Sequence, residues 1–188
     1  MTLRNAVLAA VLIMSLDRVH AQSKPANLDK SPMDMCYYPA DYPVLKIQDK
    51  TPGPLIARAI YSRPQKNGRK LFGELVEYGK VWRLGANEAT ELEFFQDVRI
   101  DNKKVKKGRY TVYALVDTDR WTIILNKETD TWGAFRYDPA KDVLRTTVPV
   151  EKQAEVTEVF AMEFEKTKKG AQLVINWDDV LVKLPITW

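Results

Sequence analysis

Apolar and polar residues alternate with a period of two along most of the chain after residue 54. Between Val156 and Glu165, Phe160, Met162 and Phe164 fall on one face and glutamates occupy much of the other. This alternation is typical of an antiparallel β-strand that is buried on one side only. The same criterion predicts eight strands: Leu55–Tyr61, Thr90–Gln96, Tyr110–Asp117, Trp121–Asn126, Val143–Val150, Val156–Glu165, Ala171–Trp177 and Val180–Leu184.

Turn residues separate these strands, and no segment of about a dozen residues has the apolar face of a helix. Gly108 and Gly170 follow lysine-rich stretches, and Asp117-Thr118-Asp119 joins two strands in a tight hairpin. About eight strands predict an all-β fold, which we expect to be a single antiparallel β-sandwich over residues 55–188. Two long ordered loops, Arg63–Thr90 and Asn126–Arg145, are expected to lie near each other.

Residues 1–21 have the pattern of a secretory signal peptide. A weakly basic start is followed by an apolar run from Ala6 to Leu16, which is too short for a span of about 20 residues. Val19-His20-Ala21 then supplies a cleavage site, so we predict export to the periplasm or beyond with no membrane segment remaining. An uncleaved anchor is the alternative. Residues 22–54, rich in proline and tyrosine, are predicted to form an extended arm that packs across the sandwich.

Several classes of function are excluded by composition. The net charge of +4 is spread over the chain, so no nucleic-acid partner is expected. The only histidine, His20, lies in the predicted signal peptide, which removes histidine-based catalysis and histidine-ligated zinc. Cys36 is the single cysteine, so it cannot form an internal disulfide and is expected to be a small buried residue. No cofactor motif and no calcium-loop spacing is present, so neither a cofactor nor a metal is predicted.

The first long loop holds Arg63, Arg69 and Arg83 close to four glycines. Arginines beside glycines can bind a carboxylate, sulfate or phosphate, because glycine allows close approach to the backbone. The alternative, which the length of the loop favours, is that each arginine pairs internally with a carboxylate and holds the loop in place. Asn87 in the same loop is a candidate for a directional hydrogen bond to a ligand.

The second long loop combines aromatic rings with carboxylates, which is typical of sugar-binding sites. Trp132 and Tyr137 are the candidates for stacking, and Phe135 offers a third ring. The alternative, which we favour for Trp132, is that its large apolar surface closes the end of the sandwich. Glu88 and Asp142, one from each loop, form the best pair for a carboxylate-based glycoside hydrolase.

Long motifs run through most of the chain: SPMDM (31–35), YSRPQKNGRKLFG (61–73), YGKVWRLGANEAT (78–90), WTIILN (121–126) and the WG…Y…DVLR pattern (132–145). Together they resemble the domain of unknown function family 2911, which is frequent in exported proteins of the Bacteroidetes group. The resemblance implies an exported β-rich domain and carries no known activity, ligand or catalytic residue. Cys36 departs from the family pattern, in which a small residue is expected. The family motif positions include Arg63, Arg69, Trp82, Arg83, Asn87, Trp132, Tyr137, Asp142 and Arg145.

These patterns predict a non-catalytic module that binds a small anionic or sugar-like ligand, or an interaction module. A carboxylate-based hydrolase and a purely structural domain are the alternatives. The candidate ligand-binding residues are Arg63, Arg69, Arg83, Asn87, Glu88, Trp132, Tyr137 and Asp142.

Overall fold

The computed structural model describes residues 27–188, so the predicted signal peptide lies outside the described residues. A 3₁₀ turn at Pro139–Lys141 precedes the long ninth strand. The other elements, in chain order, are β1 (Met33–Tyr38), α1 (Tyr42–Ile47), β2 (Ala57–Ser62), β3 (Val81–Trp82), β4 (Glu91–Phe94), β5 (Val98–Ile100), β6 (Lys103–Val105), β7 (Gly108–Val116), β8 (Arg120–Asn126), β9 (Asp142–Thr167) and β10 (Gly170–Thr187).

All strand pairs are antiparallel and belong to one sheet that does not close on itself. The order is β1-β2-β4-β7-β8-β9-β10-β5-β6, with β3 beside β7. The first part of β9 pairs with β8, as in Trp121↔Val148, and the second part pairs with β10, as in Leu173↔Phe164. The long β9 and β10 therefore connect the two halves of the sheet. The all-β prediction is confirmed.

The two halves of the sheet face each other across one core. Trp82 on β3 and Trp177 on β10 are remote in the strand order, yet their rings stack with centroids 6.0 Å apart. On β9, Phe160, Met162 and Phe164 are at most 8% exposed, so the period-two pattern identifies the inward face correctly. This layering has the form of a sandwich.

β9 and β10 are each continuous where the sequence predicts two separate strands. The polar run between Val150 and Val156 interrupts the apolar alternation. Pairing of β9 with β10 reaches Lys152 and resumes at Thr157, and the chain between these residues stays extended as part of β9. The register shifts around Asp178, whose φ is 57°, so the hairpin accommodates extra residues in β9 as an irregularity of the β-bulge type. The short β5 and β6 are not among the predicted strands.

The N-terminal arm contributes an edge strand to the sheet. β1 pairs with β2 in the register Cys36↔Ala59, and Cys36 packs against the core. Burial raises the pKa of the Cys36 thiol to about 12, so the thiol stays protonated and unreactive at neutral pH. The arm also contains α1, where an extended chain is expected from the prolines. No helix within residues 27–188 has the length and apolar character needed to span a bilayer.

Candidate functional site

The two long loops lie side by side, as the sequence predicts. The Ala89 amide donates to the Thr131 carbonyl at 2.9 Å, and the Gly133 amide donates to the Asn87 carbonyl at 2.9 Å. Glu88 and Trp132 form an isolated antiparallel bridge between these bonds. Backbone hydrogen bonds thus fix the position of the second loop relative to the first.

Trp82 anchors the first loop in the core. Its ring is 8% exposed, stacks against Trp177 and meets Trp121 edge to face at 5.7 Å. Its indole Nε1 donates to the Gly85 carbonyl at 3.1 Å, which ties the turn after the strand to the same ring. The tryptophan of the YGKVWRLGANEAT motif is therefore a core residue that holds a turn.

Gly85 is required by the tight packing of that turn. Its φ is 152°, and a Cβ at this position would lie 2.9 Å from Ser62 Oγ. Ser62 Oγ accepts a hydrogen bond from the Ala86 amide at 2.6 Å, and Thr90 Oγ1 donates to the Leu84 carbonyl. The glycine therefore allows strand β2 and the loop to approach closely.

Arg63 and Arg69 are held by internal contacts. Arg63 Nη1 lies 3.0 Å from Asp34 Oδ2, and its Nε donates to the Phe160 carbonyl at 3.2 Å. Arg69 Nε donates to the Lys66 carbonyl at 3.0 Å, and its Nη2 donates to the Gln65 carbonyl. Both arginines thereby fasten the first loop.

Arg83 differs from these two arginines because no internal hydrogen bond of its guanidinium is found within residues 27–188. Within residues 27–188 no carboxylate lies within ion-pair distance of it, and its buried Nε has no hydrogen-bond partner. Burial without a compensating charge lowers the pKa of the Arg83 guanidinium. Within residues 27–188 the expectation that each arginine pairs with an internal carboxylate is therefore correct for Arg63 and wrong for Arg69 and Arg83.

We expect Arg83→Met to raise the free energy of unfolding by about 1 kcal/mol, because it removes an unsatisfied donor and keeps the apolar stem. Urea denaturation followed by circular dichroism measures the change. Arg120→Met is the matched control, because Arg120 is 64% exposed, and it is expected to stay within about 0.5 kcal/mol of the parent. A destabilised Arg83→Met variant would show that Arg83 stabilises the fold through a contact of its charge.

Asp142 and Tyr137 form a network that fixes the second loop. Asp142 Oδ2 accepts hydrogen bonds from Tyr137 Oη at 2.6 Å and from Arg145 Nε at 2.8 Å. Its Oδ1 accepts from Asn126 Nδ2 at 2.8 Å. Burial and then the bond to Asp142 raise the pKa of Tyr137, whose ring packs edge to face on Tyr113. These contacts occupy both oxygens of Asp142 and join the two ends of the loop.

A groove of about 600 Å³ opens beside this network. Trp132, 61% exposed, and Phe135, 83% exposed, present their rings there, together with the side chain of Arg136. The expectation that Trp132 closes the end of the sandwich is therefore wrong. The other lining residues are Glu128, Thr129, Asp130, Thr131 and Lys141. We call this site the Trp132–Phe135 groove.

Most charges of the groove are neutralised by neighbours. Asp130 pairs with Arg109, and Glu128 pairs with Lys141. Arg136 has no ion-pair partner within residues 27–188. The groove therefore offers one uncompensated guanidinium beside two aromatic rings.

Glu88 and Asn87 lie at the junction of the loops. The φ of Asn87 is 57°, and its backbone carbonyl accepts the hydrogen bond from the Gly133 amide. The exposed Glu88 lines a small cavity of about 130 Å³, to which Asp142 does not contribute. The two carboxylates considered for hydrolysis are thus placed in different surroundings.

The family model described as "Protein of unknown function (DUF2911)" matches residues 46–186, which include both loops. The chain belongs to this family. No curated protein and no solved structure matches the chain. Every residue of the Trp132–Phe135 groove lies within the part of this DUF2911 protein that the family model covers.

In this DUF2911 protein the predicted site residues therefore do not form one site but lie in several places. Trp132 lines the groove, Tyr137 and Asp142 support its loop, and Asn87 and Glu88 lie beside it. Arg136 and Lys141 line the groove but are absent from the predicted set, and Phe135, noted in the sequence as a third ring, was not included in it. The sequence AFRY, an arginine between two aromatic residues in a loop, is the signal that marks Phe135 and Arg136.

Proposed function

We propose that this DUF2911 protein is a non-catalytic module that binds an acidic sugar in the Trp132–Phe135 groove. The observation that carries the proposal is the exposure of two aromatic rings beside an unpaired arginine on a fixed loop. Large exposed aromatic side chains are unfavourable in water and are informative when they cluster. A sugar that bears a carboxylate can pack its ring against the two aromatic side chains and pair its charge with Arg136.

The chemistry of the groove favours a ring with one apolar face and one anionic group. Trp132 and Phe135 offer surfaces for the C–H face of a pyranose ring. Arg136 can bind a carboxylate with two parallel N–H···O bonds, a geometry that lysine does not provide. Asp130 and Thr129, whose side chains are hydrogen-bonded to each other at 2.9 Å, are placed to meet sugar hydroxyls.

The fixed backbone of the loop supports a binding role. Hydrogen bonds to Asn87 and Ala89 hold one side of the loop, and the Asp142 network holds the other. Gly133, with a φ of 67°, lets the Phe135 ring lie over its backbone, because a Cβ there would be 2.7 Å from that ring. A preorganised site loses less conformational entropy when the ligand binds.

Isothermal titration calorimetry with trigalacturonate and with neutral trigalactose tests the proposal. We expect saturable binding of the acidic trisaccharide and binding at least about tenfold weaker for the neutral one, because a charge-assisted hydrogen bond contributes about 1.5–3 kcal/mol. Trp132→Ala should weaken binding of the acidic sugar about tenfold or more through loss of stacking. Arg136→Gln should remove the preference for the acidic sugar.

Two controls separate these effects from damage to the fold. Arg120→Gln removes an exposed arginine on β8 that does not line the groove, and it should bind like the parent. Each variant should keep the melting temperature of the parent within about 2 °C, because surface substitutions change stability little. Equal binding of both sugars by the parent, or unchanged binding by Trp132→Ala, would overturn the proposal.

A further inference from the structure

We propose a second ligand site, for a small aromatic carboxylate, in a cavity where the N-terminal arm meets the end of the β9–β10 hairpin. The cavity has a volume of about 430 Å³, and its lining includes Tyr38, Pro39, Pro54, Phe164, Lys166 and Trp188. This volume lies within the range of about 300–1,000 Å³ that is usual for small-molecule sites. We call it the Tyr38–Trp188 cavity.

Aromatic rings form much of the wall of the Tyr38–Trp188 cavity. The Tyr38 ring meets the Trp188 ring at 5.3 Å and the Phe164 ring at 6.4 Å, both edge to face. Trp188 nevertheless remains 48% exposed, so part of its indole has no protein neighbour. Edge-to-face and offset contacts are the preferred geometries between aromatic rings. An aromatic ligand ring can extend this arrangement by packing against the exposed part of Trp188.

The positive charge of Lys166 favours an anionic ligand over a neutral one. Lys166 lines the cavity, and within residues 27–188 this lysine forms no ion pair. Among residues 27–188, no aspartate or glutamate side chain contributes to the lining. Lys168 and Lys169 follow in the hairpin turn and add positive charge close to Lys166. A carboxylate attached to the aromatic ring is therefore the group that complements Lys166.

This inference does not depend on the proposed sugar site. The two cavities share no lining residue. The family model covers the whole Trp132–Phe135 groove but does not reach Tyr38, Pro39 or Trp188. The second site therefore uses residues that lie outside the matched part of the chain.

The test uses the fluorescence of Trp188 in the full chain. In a Trp132→Phe background, Trp188 is the remaining exposed tryptophan, because Trp82, Trp121 and Trp177 are at most 8% exposed. Phenylacetate should change the emission in a saturable way with a Kd on the order of 1 mM, as expected for a ligand of about ten non-hydrogen atoms. Neutral phenylacetamide should bind about tenfold more weakly, and acetate should produce no change.

Variants of the lysines identify the charge that selects the anion. Lys166→Gln should lower the affinity for phenylacetate about tenfold and make it equal to that for phenylacetamide. Lys168→Gln is the matched control from the same turn, does not line the cavity, and should keep the preference. Saturation-transfer NMR on phenylacetate gives a second readout that does not depend on the indole. The absence of saturable binding, equal binding of the two ligands by the Trp132→Phe protein, or a preference retained in Lys166→Gln would each overturn the inference.

Discussion

Trp82→Ala is expected to lower the free energy of unfolding by about 3–5 kcal/mol, the usual cost of truncating a buried tryptophan. The Trp82 ring stacks on Trp177 and contacts Trp121, Phe72 and Phe160 at centroid distances from 5.7 to 6.3 Å. Its removal leaves a cavity between the two halves of the sheet and a lost hydrogen bond to the Gly85 carbonyl. Urea denaturation measures the change.

The matched control is Trp132→Ala, which removes the same side chain from an exposed position. Trp132 is 61% exposed whereas Trp82 is 8% exposed, so the control should change stability by less than about 1 kcal/mol. Trp82→Phe should recover part of the loss, because it retains an aromatic ring in the same space. Similar effects of the two alanine substitutions would mean that Trp82 does not join the layers of the core.

Asp142→Ala is expected to destabilise the protein by roughly 2 kcal/mol and to weaken sugar binding at the same time. The Asp142 side chain is 10% exposed, and its loss removes the acceptor of the Tyr137 hydroxyl and of Arg145 Nε and one of two acceptors of Asn126 Nδ2. We set the cost below that of a fully buried pair because Arg145 is 44% exposed and its charge is partly screened. Calorimetric unfolding and sugar titration measure the two effects.

Asp119→Ala provides the control for this prediction, because Asp119 also pairs with an arginine but is 66% exposed. It should change stability by no more than about 0.5 kcal/mol and should leave sugar binding unaltered. A stable Asp142→Ala protein with parental sugar affinity would show that the network neither holds the loop nor shapes the groove.

The longer strands with one buried face could be predicted from the sequence, whereas β5, with only three residues, was too short to show a pattern. Phe160, Met162 and Phe164 alternate with polar residues, and this alternation follows directly from the pleat of a strand. The stretch between Val150 and Val156 has no such pattern, because its side chains are not buried in alternation and its pairing with β10 is interrupted between Lys152 and Thr157. A strand that continues through an irregularity of this kind cannot be recognised from local periodicity.

The candidate site was less predictable, because the role of each side chain depends on contacts between remote segments. An exposed and a buried tryptophan look alike in a sequence, and only the position of the second loop shows that Trp132 faces outward. Arg63 forms an ion pair with Asp34 of the arm. Arg83 lies in the same loop but has no ion-pair partner among residues 27–188. Whether a charged side chain forms an ion pair therefore depends on the tertiary structure and cannot be read from its place in the sequence.

The emission of Trp132 in the Trp188→Phe protein tests the proposed sugar site most directly, because the reporter is the residue expected to stack on the ligand. The other tryptophans of that variant, Trp82, Trp121 and Trp177, are buried in the core. We predict a saturable blue shift and reduced quenching by acrylamide on addition of trigalacturonate, with a midpoint concentration at least about tenfold higher for neutral trigalactose. Unchanged emission and quenching across a concentration range in which the acidic sugar binds the protein by calorimetry would contradict the assignment of the site.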